Sequence, residues 1–258
     1  MNETGEPEFN GVVLSEMKGA MSDPDEILQE YMESVIFPNT TYRWNSGGAP
    51  TDIPKLSQKE LSDFYATFYH PSNAQVLLYG TRTSAENCLI QLDEYLKTFD
   101  ARPDIRLQSQ IELQPMLDIS PKLHRVPFEA EDANAPRQML MSWLISGAGN
   151  MDDSFQAQNR LAYTVLEQLL MNDKFGVLYL ALQKSGLVGS VDGGIEMSSY
   201  QWTFQVQLTS VDANNTLAVQ NLVQDTLQMI TKDGFHHEDI ESAINTVEFG
   251  YRDISSFT

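Results

Sequence analysis

An α+β fold is predicted, on three observations from the 258-residue sequence. Several segments repeat apolar residues at helical spacing, and Ile27, Leu28, Tyr31, Met32, Val35 and Ile36 are the clearest set. One segment alternates strictly. Tyr200, Trp202, Phe204, Val206 and Leu208 are separated by Gln201, Thr203, Gln205 and Gln207, the pattern of a half-buried antiparallel strand with one wet face. Helical and strand signals fall in separate runs, which points to α+β.

The elements follow in order. Val12, Val13 and Leu14 form a short apolar lead-in to Glu16. Asp23 then caps a new helix, with Pro24 at the first helical position and Glu26 completing a capping box, and that helix stops before Pro38. Residues 39–54 read as loop, with Ser46-Gly47-Gly48 at their centre. Ser57-Gln-Lys-Glu60 is a second capping box, followed by Leu61, Phe64, Tyr65 and Phe68 on one face. His70-Pro71-Ser72-Asn73 ends that helix, and Ala74 to Tyr79 reads as a short buried strand. Ser84 opens a helix whose inner face is Leu89, Leu92, Leu96 and Phe99. Asp100 to Pro121, with three prolines and no sustained period, reads as a connection. Leu123–Phe128 and Gln138–Ser146 are predicted strands, and Phe155–Met171 and Val177–Gln183 predicted helices, with Ser185-Gly186 as a stop. Leu217–Ile230 and Glu238–Tyr251 are the last two helices, parted by Lys232-Asp233-Gly234.

Composition bounds the function by exclusion. With 36 Asp+Glu against 16 Lys+Arg, net −20, there is no room for the basic stripe that a nucleic acid or an anionic membrane surface requires. The acid excess could steer basic peptides, although a solvated acidic surface that aids solubility accounts for most of it. No apolar run reaches the ~20 residues of a membrane-spanning helix, so no membrane insertion is expected. The single cysteine, Cys88, forms no internal disulfide. It is expected to be a small buried hydrophobe.

Few residues carry chemistry. His70 serves a turn, His124 lies in a strand candidate without a partner, and His236-His237-Glu238-Asp239 are consecutive at a helix start and do not converge on one ion. Ser46-Gly47-Gly48 could bring backbone close to a peptide, and a flexible loop explains it as well. No H-E-x-x-H, C-x-x-C, P-loop or G-x-G-x-x-G occurs. No catalytic residue is assigned, and substrate-binding residues stay unassigned.

Glu16 is different because of its setting. The run Leu14-Ser15-Glu16-Met17-Lys18-Gly19, ahead of the second capped helix, resembles a segment of the pitrilysin/insulinase family of zinc metallopeptidases, in the branch of the presequence proteases and falcilysin. Phe68-Tyr-His-Pro-Ser-Asn73, Ser46-Gly47-Gly48, Ser185-Gly186-Leu187, and Gly234-Phe235 through Asn245, Glu248-Phe249 and Arg252 match the same branch in the same order. Lys174-Phe175-Gly176 departs from it, where the family has a small residue, serine and proline. The resemblance implies that Glu16 is a zinc ligand, the third of a set whose two histidines belong to an upstream H-x-x-E-H motif. Only fifteen residues precede Glu16 here and none is histidine, so the chain is expected to be a fragment that binds no zinc by itself.

The resemblance also implies α/β roll domains, each an antiparallel sheet covered by helices and both incomplete here. Residues 1–105 would be the later part of the catalytic domain, 106–120 a linker, and 121–258 the front of the second, non-catalytic domain. The function implied is degradation of short unfolded peptides in a closed chamber by a zinc oligopeptidase. The alternative is a non-catalytic structural or partner-binding member of the family. Implied partners are peptide substrates and the remainder of the full-length chain, and self-association of the fragment is expected. A mitochondrial or plastid-like location is implied by the resemblance alone.

Overall fold

The structure, a computed structural model, describes residues 9–115, 123–129, 137–145 and 153–253. The last third of the expected linker, residues 116–120, lies outside them, as does Ser146. The described helices are α1 (Val12–Ala20), α2 (Pro24–Ile36), α3 (Gln58–Phe68), α4 (Arg82–Leu96), α5 (Pro103–Gln108), α6 (Asp153–Met171), α7 (Val177–Ser185), α8 (Thr216–Asp233) and α9 (His237–Asp253). The described strands are β1 (Arg137–Ile145), β2 (Ser190–Glu196) and β3 (Trp202–Val211). Helices and antiparallel strands make the fold α+β. None of the described helices is long and apolar enough to cross a membrane. The chain divides into two compact units, Met1–Lys18 with Ser46–Glu112, and Gly19–Asn45 with Leu113–Thr258.

The second unit is built on an antiparallel sheet of order β1-β3-β2. Its centre is the alternating segment: Phe204 pairs with Trp143 of β1 on one side and Ile195 of β2 on the other. Trp202, Phe204, Val206 and Leu208 are buried with Leu178 and Leu182 of α7 and Val219 and Val223 of α8. Six of these side chains, Leu178, Leu182, Val206, Leu208, Val219 and Val223, are wholly excluded from solvent. Burial of a side chain of this size contributes about 1.5–3 kcal/mol each, so this layer is what the helices are recruited to cover. α7 stops where expected, at Ser185, because Gly186 takes a left-handed turn (φ +65°) that unstrained L-residues avoid.

The opposite face of β3 is not wet, contrary to expectation. Gln201 and Thr203 are buried, and Gln205 and Gln207 half-buried. α2 packs there, its Met32 and Ile36 forming with Phe37 a small cluster against Leu140 and Leu144 of β1. Polar groups are tolerated because each finds a partner. Gln207 donates to Asp25 Oδ1 (2.9 Å) and Gln205 to Thr203 Oγ1 (2.9 Å). Gln201 clasps the backbone of Gln114: its Oε1 accepts from the Gln114 N–H and its Nε2 donates to the Gln114 carbonyl. Gln114 Oε1 in turn accepts from the Asn39 N–H (2.9 Å), which ties three distant stretches into one joint.

Two further expectations fail here. Leu123–Phe128 forms no strand, with Leu123 well exposed. His124 does have a partner, Tyr31 Oη, 2.9 Å from its Nδ1. β2 and α5 were not anticipated at all.

In the first unit α3 and α4 form where expected, but their faces do not bury. Ser57 and Glu60 complete a reciprocal capping box on α3. His70 caps the 3-10 turn Pro71–Asn73 with its Nδ1 accepting from the Ser72 N–H, and Ser72 Oγ accepts from the Arg102 N–H (2.9 Å) beside buried Ile105. Leu61, Phe64 and Tyr65 of α3, Leu89 of α4 and Phe99 just beyond it are exposed, and so is Cys88, which is no buried hydrophobe. Ala74–Tyr79 is not a strand, and Leu77 and Tyr79 are almost fully exposed (93% and 101%). The physical reason is shared. An apolar run becomes a strand, and a helical stripe a core face, only against a partner, and the sheet strands among the described residues all belong to the second unit.

Candidate functional site

Glu16 is the fifth residue of α1, whose start is fixed by the Ser15 N–H donating to the Gly11 carbonyl (2.9 Å). Leu14 and Met17 are the buried residues of the helix. Glu16 is exposed and shares its side of the helix with exposed Val12, four residues earlier. An open apolar cleft lies at the start of the helix, lined by Phe9, Val12, Val13, Ile53 and Pro54 among others.

Among the described residues no group of three or more His, Cys, Asp or Glu side chains converges to hold a metal. A catalytic zinc ion needs three protein donors and an open position, and one exposed carboxylate does not fit that requirement. The histidines fall elsewhere. His70 caps a turn, His124 stacks obliquely on Tyr31 (ring centroids 5.7 Å apart), and His237 pairs with Glu241 Oε1 (3.3 Å) on the surface of α9. His236 offers its carbonyl to the Asp239 and Ile240 N–H groups at the start of the same helix.

Two carboxylates that the sequence did not single out stand apart electrostatically. Glu33 of α2 is half-buried, and burial holds its pKa above the usual carboxylate value, offset by a hydrogen bond from Gln29 (3.2 Å) and reinforced by Glu30, Glu196 and Glu26. Glu167 of α6 is likewise raised by burial and by Glu196, against the Ile195 N–H that donates to its Oε2 (3.3 Å). A glutamate at an ordinary helical position carries no mark in the sequence. The adjacent Gly193-Gly194 was the one visible sign that something approaches the β2 backbone closely.

The turn at Lys174-Phe175-Gly176, where the family pattern breaks, is locally self-sufficient. Asn172 Oδ1 accepts from the Lys174 N–H (2.9 Å) and the Asn172 carbonyl from the Gly176 N–H (2.8 Å).

Comparison with known proteins agrees with the resemblance. Residues 55–247 match the family model described as Peptidase M16 inactive domain, a range that begins downstream of Glu16. The chain is 33% identical over 253 residues to Protein HypA of Clostridium perfringens, covering 98% of this chain and 25% of that protein. It is 32% identical over 248 residues to Presequence protease 1, chloroplastic/mitochondrial, of Arabidopsis thaliana, covering 95% and 22%. It thus spans about a quarter of the length of the curated relatives it matches. Among solved structures, a peptidase M16 inactive domain from Pseudomonas fluorescens superposes with a TM-score of 0.66 at 17% identity, over 93% of this chain and 54% of that one. A protease from Helicobacter pylori does so with a TM-score of 0.66 at 16% identity, over 94% and 56%. The chain belongs to the M16, insulinase-like peptidase family, and presequence proteases are among the members it is similar to.

Proposed function

We propose that this chain is part of a zinc oligopeptidase that degrades short unfolded peptides in a closed chamber, and that the chain alone is inactive. The observation that carries the reading is the setting of Glu16: an exposed carboxylate on α1, inside the Leu14–Gly19 match, directly before the capped start of α2. In the longer protein Glu16 would be one zinc donor, and the two histidines would come from a segment that these 258 residues do not include. The associated domain reading takes residues 1–105 as the later part of the catalytic domain, 106–120 as a linker and 121–258 as the front of the second domain. α2 would then be a piece of the first that packs on the sheet of the second.

The printed names of several relatives, presequence proteases of mitochondria or chloroplasts, carry over as a proposed organellar location; HypA comes from a bacterium and marks the bacterial alternative. A non-catalytic, structural or partner-binding role is favoured by one observation, the inactive-domain match over residues 55–247.

The test is Glu16→Gln in the full-length protein, with Glu26→Gln as the control. Glutamine keeps the size and loses the anionic oxygen, so zinc content and peptide hydrolysis are both expected to fall by on the order of 10–100-fold or more, while the control retains both. Equal zinc content and equal activity in both variants and the parent would leave Glu16 an ordinary surface glutamate and favour the structural reading. The isolated chain is expected to show no chelator-sensitive cleavage of a short peptide.

A further inference from the structure

Among the described residues β2 is an edge strand of the three-stranded sheet, and one row of its backbone groups has no strand partner there. One of those groups, the Ile195 N–H, donates to Glu167 Oε2 at 3.3 Å. The other oxygen of the same carboxylate lies against Gly194: a Cβ placed there would come within 2.8 Å of Oε1. The side chain of α6 therefore reaches round to the strand edge and sits on the backbone at the one place where glycine makes room for it. Beyond it, Glu196 at the end of β2 is the charge that acts on Glu167. α7 and α9 also pack on α6 and carry Lys184, and His237, Glu238, Asp239, Glu241, Glu248, Arg252 and Asp253; none of these is among the influences on the carboxylate. On α6 itself, Arg160 is engaged with the Met197 carbonyl and the Trp202 ring.

We propose that Glu167 is an acid-set latch on the outer edge of β2: its carboxyl group holds the Gly194–Ile195 backbone against α6, and this seam tightens when the group takes up a proton. The proton comes from solvent. It converts one carboxylate oxygen into a hydroxyl donor and leaves the other free to accept from Ile195. Ionised, the group must keep a half-buried charge beside Glu196 for the return of one long hydrogen bond, and that bond offsets little of the desolvation. Neutral, it keeps the hydrogen bond and loses both costs. Because the folded carboxyl binds its proton more readily than the unfolded one (usual value 4.5), the seam gains as pH falls from neutrality towards 4.5 and loses as pH rises through the folded value. The latch is independent of the peptidase reading.

The experiment follows the exchange protection of the Ile195 amide, corrected for intrinsic chemistry, in the parent chain, Glu167→Gln and Glu196→Gln. In the parent, protection is expected to fall by at least about threefold between about pH 5 and about pH 7.5. Glu167→Gln keeps an acceptor oxygen and cannot ionise, so its protection stays level and exceeds the parent's at the upper pH. Glu196→Gln leaves the latch in place and removes the like-charged neighbour that raises the Glu167 pKa, so its decline is smaller and is complete at a lower pH. Parallel profiles in all three chains would overturn the proposal. So would Glu167→Gln protection that lies below the parent's at the upper pH, which would mean that the ionised carboxylate is the better clasp.

Discussion

Replacing Gly193 by alanine should be among the most damaging single changes in the second unit, although it adds one methyl group at an exposed position. Gly193 lies at φ +122°, and a Cβ built there would come 2.2 Å from the Gln205 carbonyl oxygen and 3.1 Å from the Val206 Cα. Both are backbone atoms of β3, so no side-chain rotation relieves the overlap. An L-residue at such a φ costs about 1–3 kcal/mol on its own. The overlap must also push β2 away from β3, at about 1 kcal/mol for each ladder hydrogen bond lost. Two such bonds bring the total to about 3–5 kcal/mol, a large share of the ~5–15 kcal/mol that holds an ordinary domain together. Gly186→Ala is the matched control: it has φ +65° and nothing within 4 Å, so only the left-handed strain applies, about 1–2 kcal/mol. Urea unfolding read by tryptophan fluorescence reports on the right part of the chain, because Trp44, Trp143 and Trp202 all belong to the second unit. At a slope of about 1–3 kcal/mol per molar urea, the Gly193→Ala midpoint should fall well below that of Gly186→Ala. Midpoints for the two variants that agree within error would refute the argument from close approach.

Two other expectations concern the first unit. Ser57→Ala removes half of the α3 capping box and should cost about 1 kcal/mol of local helix stability, read by circular dichroism in a denaturant series. Hydrogen bonds from Ser57 hold the Glu60 pKa below the usual carboxylate value, so the cap's contribution is present above about pH 4.5 and fades as pH falls through the lowered folded value; a cap indifferent to acid would contradict the box. The chain should self-associate through the exposed Phe64, Tyr65, Leu77 and Tyr79, and Leu77→Lys with Tyr79→Lys should reduce it. Light scattering that finds a monomer over a wide concentration range would rule this out.

How far the sequence could be read follows from which signals are local. Helices α2, α3 and α6 to α9 announce themselves because the 3.6-residue period and the caps are properties of neighbouring residues. β3 is legible because strict alternation over nine residues has no other reading. β2 is not: Ser190-Val-Asp-Gly-Gly-Ile-Glu196 contains two glycines and no alternation, and it is a strand because the edge of β3 templates it. Ala74–Tyr79 is the converse, β-prone residues with no edge to join. The glutamines of β3 look like a solvent face, and they are covered because α2 and Gln114 bring acceptors and donors to them. Glu16 was visible through its resemblance alone. Glu167 was not visible at all, since its role depends on a strand edge 28 residues away.

The joint between Asn39, Gln114 and Gln201 has a consequence for the order of assembly during synthesis. Its two contacts span 75 and 87 residues of chain, and each is a pair of neutral amide groups with nothing local to hold it. Contacts of that span form only after the intervening chain has been ordered. The loop after α2, although made early, therefore has no fixed seat until Gln201 has left the ribosome and β3 has found β1. Until then α2 exposes Met32 and Ile36 as a nascent amphipathic helix, the kind of surface that chaperones hold during translation.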